Sequence, residues 1–504
     1  MHKQVLALRG KGDYRQYRIP AMGVTKSGRI IVIYDGRADL DDLPGPIDLL
    51  IRTSDDNGLS WSEQKIFRSG DGHQGYGDAS ILIAPNGRII VFYQATQLAG
   101  FFESESGFDL NNPMIAHVGI AISDDDGQTW DHRTITSQIK SPEILGIFAS
   151  SGMGSHIPTG EFKDRLLQTF VLRTKNELIA AIGYSDDNGE TWKLGARIQG
   201  GNESKAIGLQ DGSVLVHSRA TPYRIKSIST DGGQTLKSSN PDYSLQDPSD
   251  NGSLALLKDG SVICSHNHDK NLRRYTVLKR SIDNGEHWPE SVVIDFGSSA
   301  YSTSCELADG KMGILYERNG YNELVFCSVD IAELQPKKAI PAQYLAVALR
   351  YIKPKRNSDA KIIGLEVLVP DLSPFGESQG KEIGEPIVNS GSITIFNRDE
   401  YESLLGTPSP GLHEGDEMRF SLTFVNSGQE TLHGFTLKSD FLGVISQEDD
   451  VAPGQLIKFM DLRKVISEED LKKKFLEVVF TWSAANAHGE KLVQTFSCAT
   501  SERL

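Results

Sequence analysis

The chain of 504 residues carries four sets of residues that could do chemistry, and spacing removes two of them. Cys264, Cys305, Cys327 and Cys498 are widely and unevenly spaced, with no CxxC pair, which indicates neither a disulfide scaffold nor a zinc site. Gly70, Gly72 and Gly75 spell a dinucleotide fingerprint, yet Ser-Ile-Leu-Ile follows at 80–83, a strand pattern where a phosphate-binding turn needs a helix N-terminus. Two sets survive. Tyr17-Arg18-Ile19-Pro20 and Tyr34-Asp35-Gly36-Arg37 place guanidinium groups, the planar and non-titrating partners of carboxylates, beside aromatic residues. The acidic run ADLDDLPGP at 38–46 offers a carboxyl group on a loop that the Pro44-Gly45-Pro46 turn can stiffen.

Such residues must be held by a scaffold, and internal repeats describe it. Ser-x-Asp-x-Gly-x-(Ser/Thr)-Trp occurs at 54–61, 123–130 and 185–192. Degenerate copies lie at 229–236, with Leu236 for Trp, and at 281–288, with His287 for Thr. In each copy Asp can bond backbone N–H groups across a tight turn, Gly supplies a positive φ, and the Trp packs under the turn. No copy carries the further oxygen ligands and terminal Glu of a calcium loop. Between the boxes lie turn-glycines followed by β-runs at Gly28, Gly87, Gly212, Gly260 and Gly310, and a sixth unit without the glycine at 165–171. About six antiparallel units of roughly 45 to 70 residues, none able to bury both faces alone, predict an all-β fold closing as a six-bladed β-propeller over 1–335. The strand 323–330 is expected to complete the ring with N-terminal strand material.

After Glu333 the stretch LQPKKAIPAQ reads as a linker. Alternation at Phe420, Leu422, Phe424 and at Leu476, Val478, Phe480, Trp482, with turns at 426–428 and 453–454, predicts a small Ig-like β-sandwich over 336–504, with one short capped helix at 467–475. Its expected role is structural or accessory, since no exposed aromatic platform for sugars is legible. Lys and Arg total 52 against 67 Asp and Glu, and the resulting −15 would repel a polyanion, so no nucleic-acid partner is expected. No apolar run reaches the roughly 20 residues of a membrane span. The start shows no export signal, which predicts a cytoplasmic protein, or a secreted one had a leader been removed.

The pairing of Tyr17-Arg18-Ile19-Pro20 and Tyr34-Asp35-Gly36-Arg37 with repeated Asp boxes resembles the bacterial exo-sialidases, retaining glycoside hydrolases with a (Phe/Tyr)-Arg-Ile-Pro signature, over roughly 12–332. The resemblance implies three arginines on the sialic acid carboxylate: Arg18, Arg219 and, eight residues before a late box, Arg273, with Arg274 a competitor. Arg37 would lie near the acetamido side. The nucleophile would be Tyr301, a neutral residue where a carboxylate would be repelled by the substrate, activated by Glu203. Glu317 would orient Arg18. The acid/base would stand five or six residues beyond Arg37, where Asp42 fits best and Asp41 and Asp39 are neighbours. Asp78 matches a further acid near the substrate, or one that supports the fold. The loop 97–113, with Phe101, Phe102 and Phe108, is a candidate wall for the acyl or glycerol part of the sugar. What the resemblance implies is an exo-α-sialidase with no metal or organic cofactor, acting on sialylated glycans, glycoproteins or glycolipids. The alternatives on the same residues are a trans-sialidase or an anhydro-forming enzyme, and, from another class, a non-catalytic glycan-binding propeller.

Overall fold

The computed structural model describes residues 1–336 apart from 39–41, 71–73, 270–272 and 319–320; beyond these it describes 345–347, 349–356, 362–368, 391–396, 417–426, 431–440, 442–453, 455–465, 467–472, 477–489 and 491–499. The chain divides into two compact units, one of 1–295 with 299–338 and one of 339–504 with 296–298.

The first unit is a succession of antiparallel meanders. Gln16–Val24, Ile30–Arg37, Ile47–Ser54 and Lys65–Arg68 form the first; Gly75–Ile83, Ile89–Thr96, His117–Ser123 and Asp131–Thr134 the second. Gly146–Ala149, Leu166–Arg173, Leu178–Ser185 and Lys193–Ile198 form the third, and Ser204–Gly208, Val214–Ser218, Tyr223–Ser229 and Ser238–Gln246 the fourth. The remaining strands share one sheet: Ser253–Leu256, Val262–Asn267 and Arg274–Ser281 run up to the 17-residue strand Glu290–Glu306, and Met312–Arg318, Glu323–Val329 and His2–Leu8 follow it. His2–Leu8 thus pairs antiparallel with Glu323–Val329, the N-terminal partner expected for that strand. The second strands of the first two meanders begin with buried apolar runs, Ile30 to Tyr34 and Ile89 to Tyr93, because other sheets cover both their faces.

The boxes form the turns their residues predict, and they also fasten the meanders to one another. In the first box Ser54 Oγ accepts the Gly58 N–H at 2.9 Å, and Asp56 Oδ1 accepts the Ser60 N–H at 2.8 Å. The Ser60 hydroxyl, the Ser60 N–H and the Ser54 hydroxyl, all donating to Asp56, hold its carboxyl down at about 2. A Cβ on Gly189, in the third box, would stand 2.2 Å from Ile90 of the second meander. One on Gly285, in the fifth, would stand 2.7 Å from Leu215 of the fourth. Each box therefore seats on the sheet before it, and the first seats on the last: a Cβ on Gly58 would stand 2.1 Å from Phe326, whose ring meets Trp61 edge-on at 5.0 Å.

In the second unit Gly443–Val451, Leu432–Ser439, Glu477–Ala485 and Lys491–Ala499 form one antiparallel sheet in that order, with Trp482 stacked on Phe435 at 6.4 Å. Glu417–Asn426 pairs with Gly391–Phe396 and Leu456–Val465 in another. The helix is described over Glu468–Leu471, with 473–475 outside the described residues, and is capped as its sequence predicts, with the Asp470 N–H donating to Ser467 Oγ at 3.3 Å. Leu476, the turn at 427–428 and the linker beyond Pro336 lie outside the described residues.

Candidate active site

Three bulges aim side chains from neighbouring strands into one place. The ladder slips between Arg18 and Ala21, between Gly77 and Ser80, and between Ser299 and Ser302. Ile19 takes φ +56° and Asp78 φ +57°. A positive φ is costly for a β-branched residue, and such strain persists only where the surroundings fix it.

At the first bulge Arg18 is buried. It donates from Nε to Glu317 Oε1 at 3.1 Å and from Nη2 to Oε2 at 3.3 Å, while its guanidinium lies 3.9 Å from the centre of the Tyr321 ring. Glu317 is fully buried and also accepts the Ile19 N–H at 2.8 Å and the Tyr301 N–H at 3.1 Å. One carboxylate thereby fixes an arginine and the backbone under a tyrosine.

Tyr301, from the third bulge, donates its hydroxyl to Glu203 Oε2. Arg219, just past Val214–Ser218, donates from Nη1 to Glu203 Oε2 and to Tyr301 Oη, both at 2.7 Å, and from Nε to Ser249 Oγ at 3.1 Å. Glu203 Oε1 accepts from Ser151 Oγ at 3.2 Å and from Asn251 Nδ2 at 3.0 Å. Arg273 reaches the Ser249 carbonyl at 2.8 Å and the Tyr321 hydroxyl at 3.2 Å. Guanidinium carbons of Arg18, Arg219 and Arg273 stand 5.6, 5.9 and 5.4 Å from the centre of the Tyr301 ring. Three cations thus surround one buried tyrosine. The Arg274 side chain lies outside the described residues.

A second cluster adjoins the first. Arg37, 2% exposed, donates from Nη2 to Asp35 Oδ2 at 2.8 Å and from Nη1 to Asp42 Oδ1 at 2.5 Å. The Asp42 side chain is 75% exposed, so it stands at the solvent edge with one oxygen on a buried arginine. Burial raises the Asp35 carboxyl to about 6, against the pull of Arg37. The Asp78 carboxyl is also raised, by its enclosure first and then by Asp35, Glu203 and Asp42, and its backbone N–H donates to Asp35 Oδ1 at 3.3 Å. Asp39 and Asp41 lie outside the described residues.

Close backbone packing holds the loop that bears Asp42. A Cβ on Gly75 would stand 2.1 Å from the Gly45 carbonyl oxygen, and one on Gly100 would stand 2.4 Å from that of Leu43. The loop 97–113 therefore buttresses the Asp42 turn. Of its aromatic residues, Phe101 turns inward onto Phe148 at 4.9 Å, while Phe102 and Phe108 are exposed.

Several residues at the site are given no role by the sequence reading. Tyr321 and Asp35 are among them, as is Asp250, buried 3.7 Å from Arg273 Nε and raised by burial to about 7. Asp35 sits inside the quoted Tyr34-Asp35-Gly36-Arg37 motif, and its two-residue spacing to Arg37 on one strand face was the available clue. Among the described residues no group of three or more His, Cys, Asp or Glu side chains is arranged to hold a metal ion, and no helix is long and apolar enough to cross a membrane.

A family model described as a BNR repeat-like domain matches residues 28–314. A sialidase of Micromonospora viridifaciens is 36% identical over 334 residues, 62% of this chain and 52% of the relative. One of Paraclostridium sordellii is 26% identical over 341 residues, 60% of this chain and 82% of the relative. The chain thus spans about half the length of the first of these relatives. Among solved structures, a Hadza microbial sialidase superposes with a TM-score of 0.59 at 26% identity, covering 64% of this chain and 67% of the other.

Proposed function

The chain belongs to the BNR repeat-like domain family, and on that premise we propose that it is an exo-α-sialidase, built on a six-bladed β-propeller and retaining configuration through a tyrosyl-glycosyl intermediate. The observation that carries this reading is the Tyr301 hydroxyl held between Glu203 Oε2 and Arg219 Nη1, with Arg18 and Arg273 against the same ring. The meanders, closed by the pairing of His2–Leu8 with Glu323–Val329 and by the first box on Phe326, support the propeller.

In this reading Arg18, Arg219 and Arg273 bind the sugar carboxylate. That anion would repel an attacking Asp or Glu, whereas Tyr301 is neutral until Glu203 takes its proton. Its oxygen bonds to the anomeric carbon as the glycosidic bond breaks, and the leaving oxygen takes a proton from Asp42. Asp42, now a carboxylate, takes a proton from the water that attacks the same carbon, and the Tyr301 oxygen departs with the proton held by Glu203. The substrates are sialylated glycans. Transfer to a second sugar, or capture by a hydroxyl of the same sialic acid, would use the same residues, and the identity of the released sugar separates these outcomes.

The test is a sialosyl fluoride bearing fluorine at C3, which slows both steps but allows the first. Peptide mass mapping is expected to place one sugar on Tyr301, and Tyr301→Phe to remain folded, bind sialic acid and take no label. Label on a carboxylate would overturn the tyrosine mechanism. No turnover and no label would favour a glycan-binding propeller.

A further inference from the structure

Beneath Tyr301 and Glu203 lies a lysine that the steps above do not use. Lys205, in the strand Ser204–Gly208, is 1% exposed, and its Cε would stand 3.1 Å from a Cβ on Gly152. Burying an ammonium is costly unless its surroundings compensate. Its Nζ donates to the Ser204 carbonyl at 3.2 Å and to Asn251 Oδ1 at 2.6 Å, both of them neutral acceptors.

Asn251 is the informative partner. Its Nδ2 donates to Glu203 Oε1 at 3.0 Å and to Ser151 Oγ at 2.8 Å, and its backbone carbonyl accepts the N–H of Ser302, next to Tyr301, at 3.1 Å. One asparagine thus bonds Glu203 through its side chain and the residue after Tyr301 through its backbone. A carboxamide can be turned either way, but an ammonium only donates and a carboxylate only accepts. With Lys205 charged, a single orientation satisfies both ends: Oδ1 toward Lys205 and Nδ2 toward Glu203. Holding Oε1 in this way leaves Oε2 for Tyr301 and Arg219.

We propose that Lys205 is a positioning residue of the nucleophile pair, its ammonium fixing the Asn251 amide that aims Glu203 Oε2 at the Tyr301 hydroxyl. The proposal rests on the sialidase reading and assigns Lys205 no contact with substrate. Burial brings the amine down to about 7; Glu203 and Asp250 hold it up, and Arg224 pushes it down. A neutral amine accepts as well as donates, so above that range Lys205 no longer fixes Oδ1 toward itself and the Glu203 contact alone orients the amide.

Lys205→Met keeps the length of the chain and removes the donor. On an aryl α-sialoside, kcat is expected to fall about 10- to 100-fold with KM within about threefold, and labelling of Tyr301 by the fluorinated sialosyl fluoride to slow by a similar factor. A kcat within a factor of two of the unmutated protein, or a raised KM at unchanged kcat, would overturn the proposal. Should Lys205→Met not fold, the labelling rate of the unmutated protein between pH 6 and 9 decides. A fall of about tenfold above pH 7 supports the positioning role, and a flat rate overturns it. Absence of both turnover and labelling in the unmutated protein is a distinct result and removes the sialidase reading itself.

Discussion

Glu317→Gln replaces one oxygen of a carboxylate that holds four donors: Arg18 Nε and the Ile19 N–H on Oε1, Arg18 Nη2 and the Tyr301 N–H on Oε2. An amide can accept on one side only. Whichever way it turns, its NH2 faces two N–H groups, and the fully buried site allows no water to replace them. The substitution also removes the carboxylate charge paired with Arg18. Breaking a buried pair by removing one partner costs about 3–5 kcal/mol, and equilibrium unfolding in urea is expected to show a loss of that size. Activity should fall with it, because both the Arg18 fork and the backbone beneath Tyr301 lose their anchor. A loss in kcat/KM of roughly 10²- to 10³-fold corresponds to about 2.7–4 kcal/mol. Arg18→Met with Glu317→Leu separates the two effects: with both charges gone, much of the stability should return, while activity should stay lost because the carboxylate clamp is missing. A stability change below about 1 kcal/mol for Glu317→Gln would refute the idea that this carboxylate carries the charge balance of the site. Restored activity in the double variant would remove Arg18 from substrate binding.

Asp42→Asn is expected to cost roughly 10²- to 10⁴-fold on sialyl-lactose, whose leaving oxygen needs a proton, and far less on an activated aryl sialoside; equal losses would move the acid to Asp41 or Asp39. Gly75→Ala should push the Gly45 carbonyl and with it the Asp42 turn, lowering turnover of sialyl-lactose more than tenfold while labelling of Tyr301 by the fluoride, which leaves without a proton, continues; parallel losses would separate the turn from proton donation. Asp250, raised to about 7 by burial, binds a proton in the folded protein that the unfolded chain releases near 4. Its contribution to stability is therefore whole below about pH 4 and lost as pH rises through 7, and Asp250→Asn should reduce the fall in unfolding free energy across that window by up to about 1.4 kcal/mol per pH unit; an unchanged slope, measured by urea unfolding at each pH, would contradict the burial effect.

The boxes were legible because a turn is local: Ser, Asp and Gly two residues apart make their bonds to one another, whatever the rest of the chain does. Arg18 and Arg37 were legible as motif residues for the same reason. What could not be read was which distant residues meet them. Arg18 and Glu317 lie 299 positions apart, and Tyr301 and Glu203 lie 98 apart; the resemblance supplied these partners, and no periodicity within a single strand did. Asn251 and Asp250 sit in a bend before Ser253–Leu256 whose sequence reads as an ordinary turn, so their burial is set wholly by the sheets around them. Asp42 was chosen by its distance along the chain from Arg37 once the resemblance had implied an acid there, and its contact with Arg37 depends on how the 43–45 turn seats on Gly75 and Gly100.

The seating of each box on the sheet before it, and of the first on the last, bears on how the chain can be made. A stack with two ends can grow from one end, each new repeat covering the previous one. A series whose first box seats on its last sheet offers no such order: Met1 pairs with Glu333, 332 positions away, and Gly58 waits for Phe326. At the roughly 5–20 residues per second of synthesis, the first meander stays uncovered on one face for something like 15–60 s. A ribosome-bound chain halted before Glu323–Val329 should thus be open to protease at the first meander and bound by chaperones. One that has passed that strand should close the series in a single cooperative step.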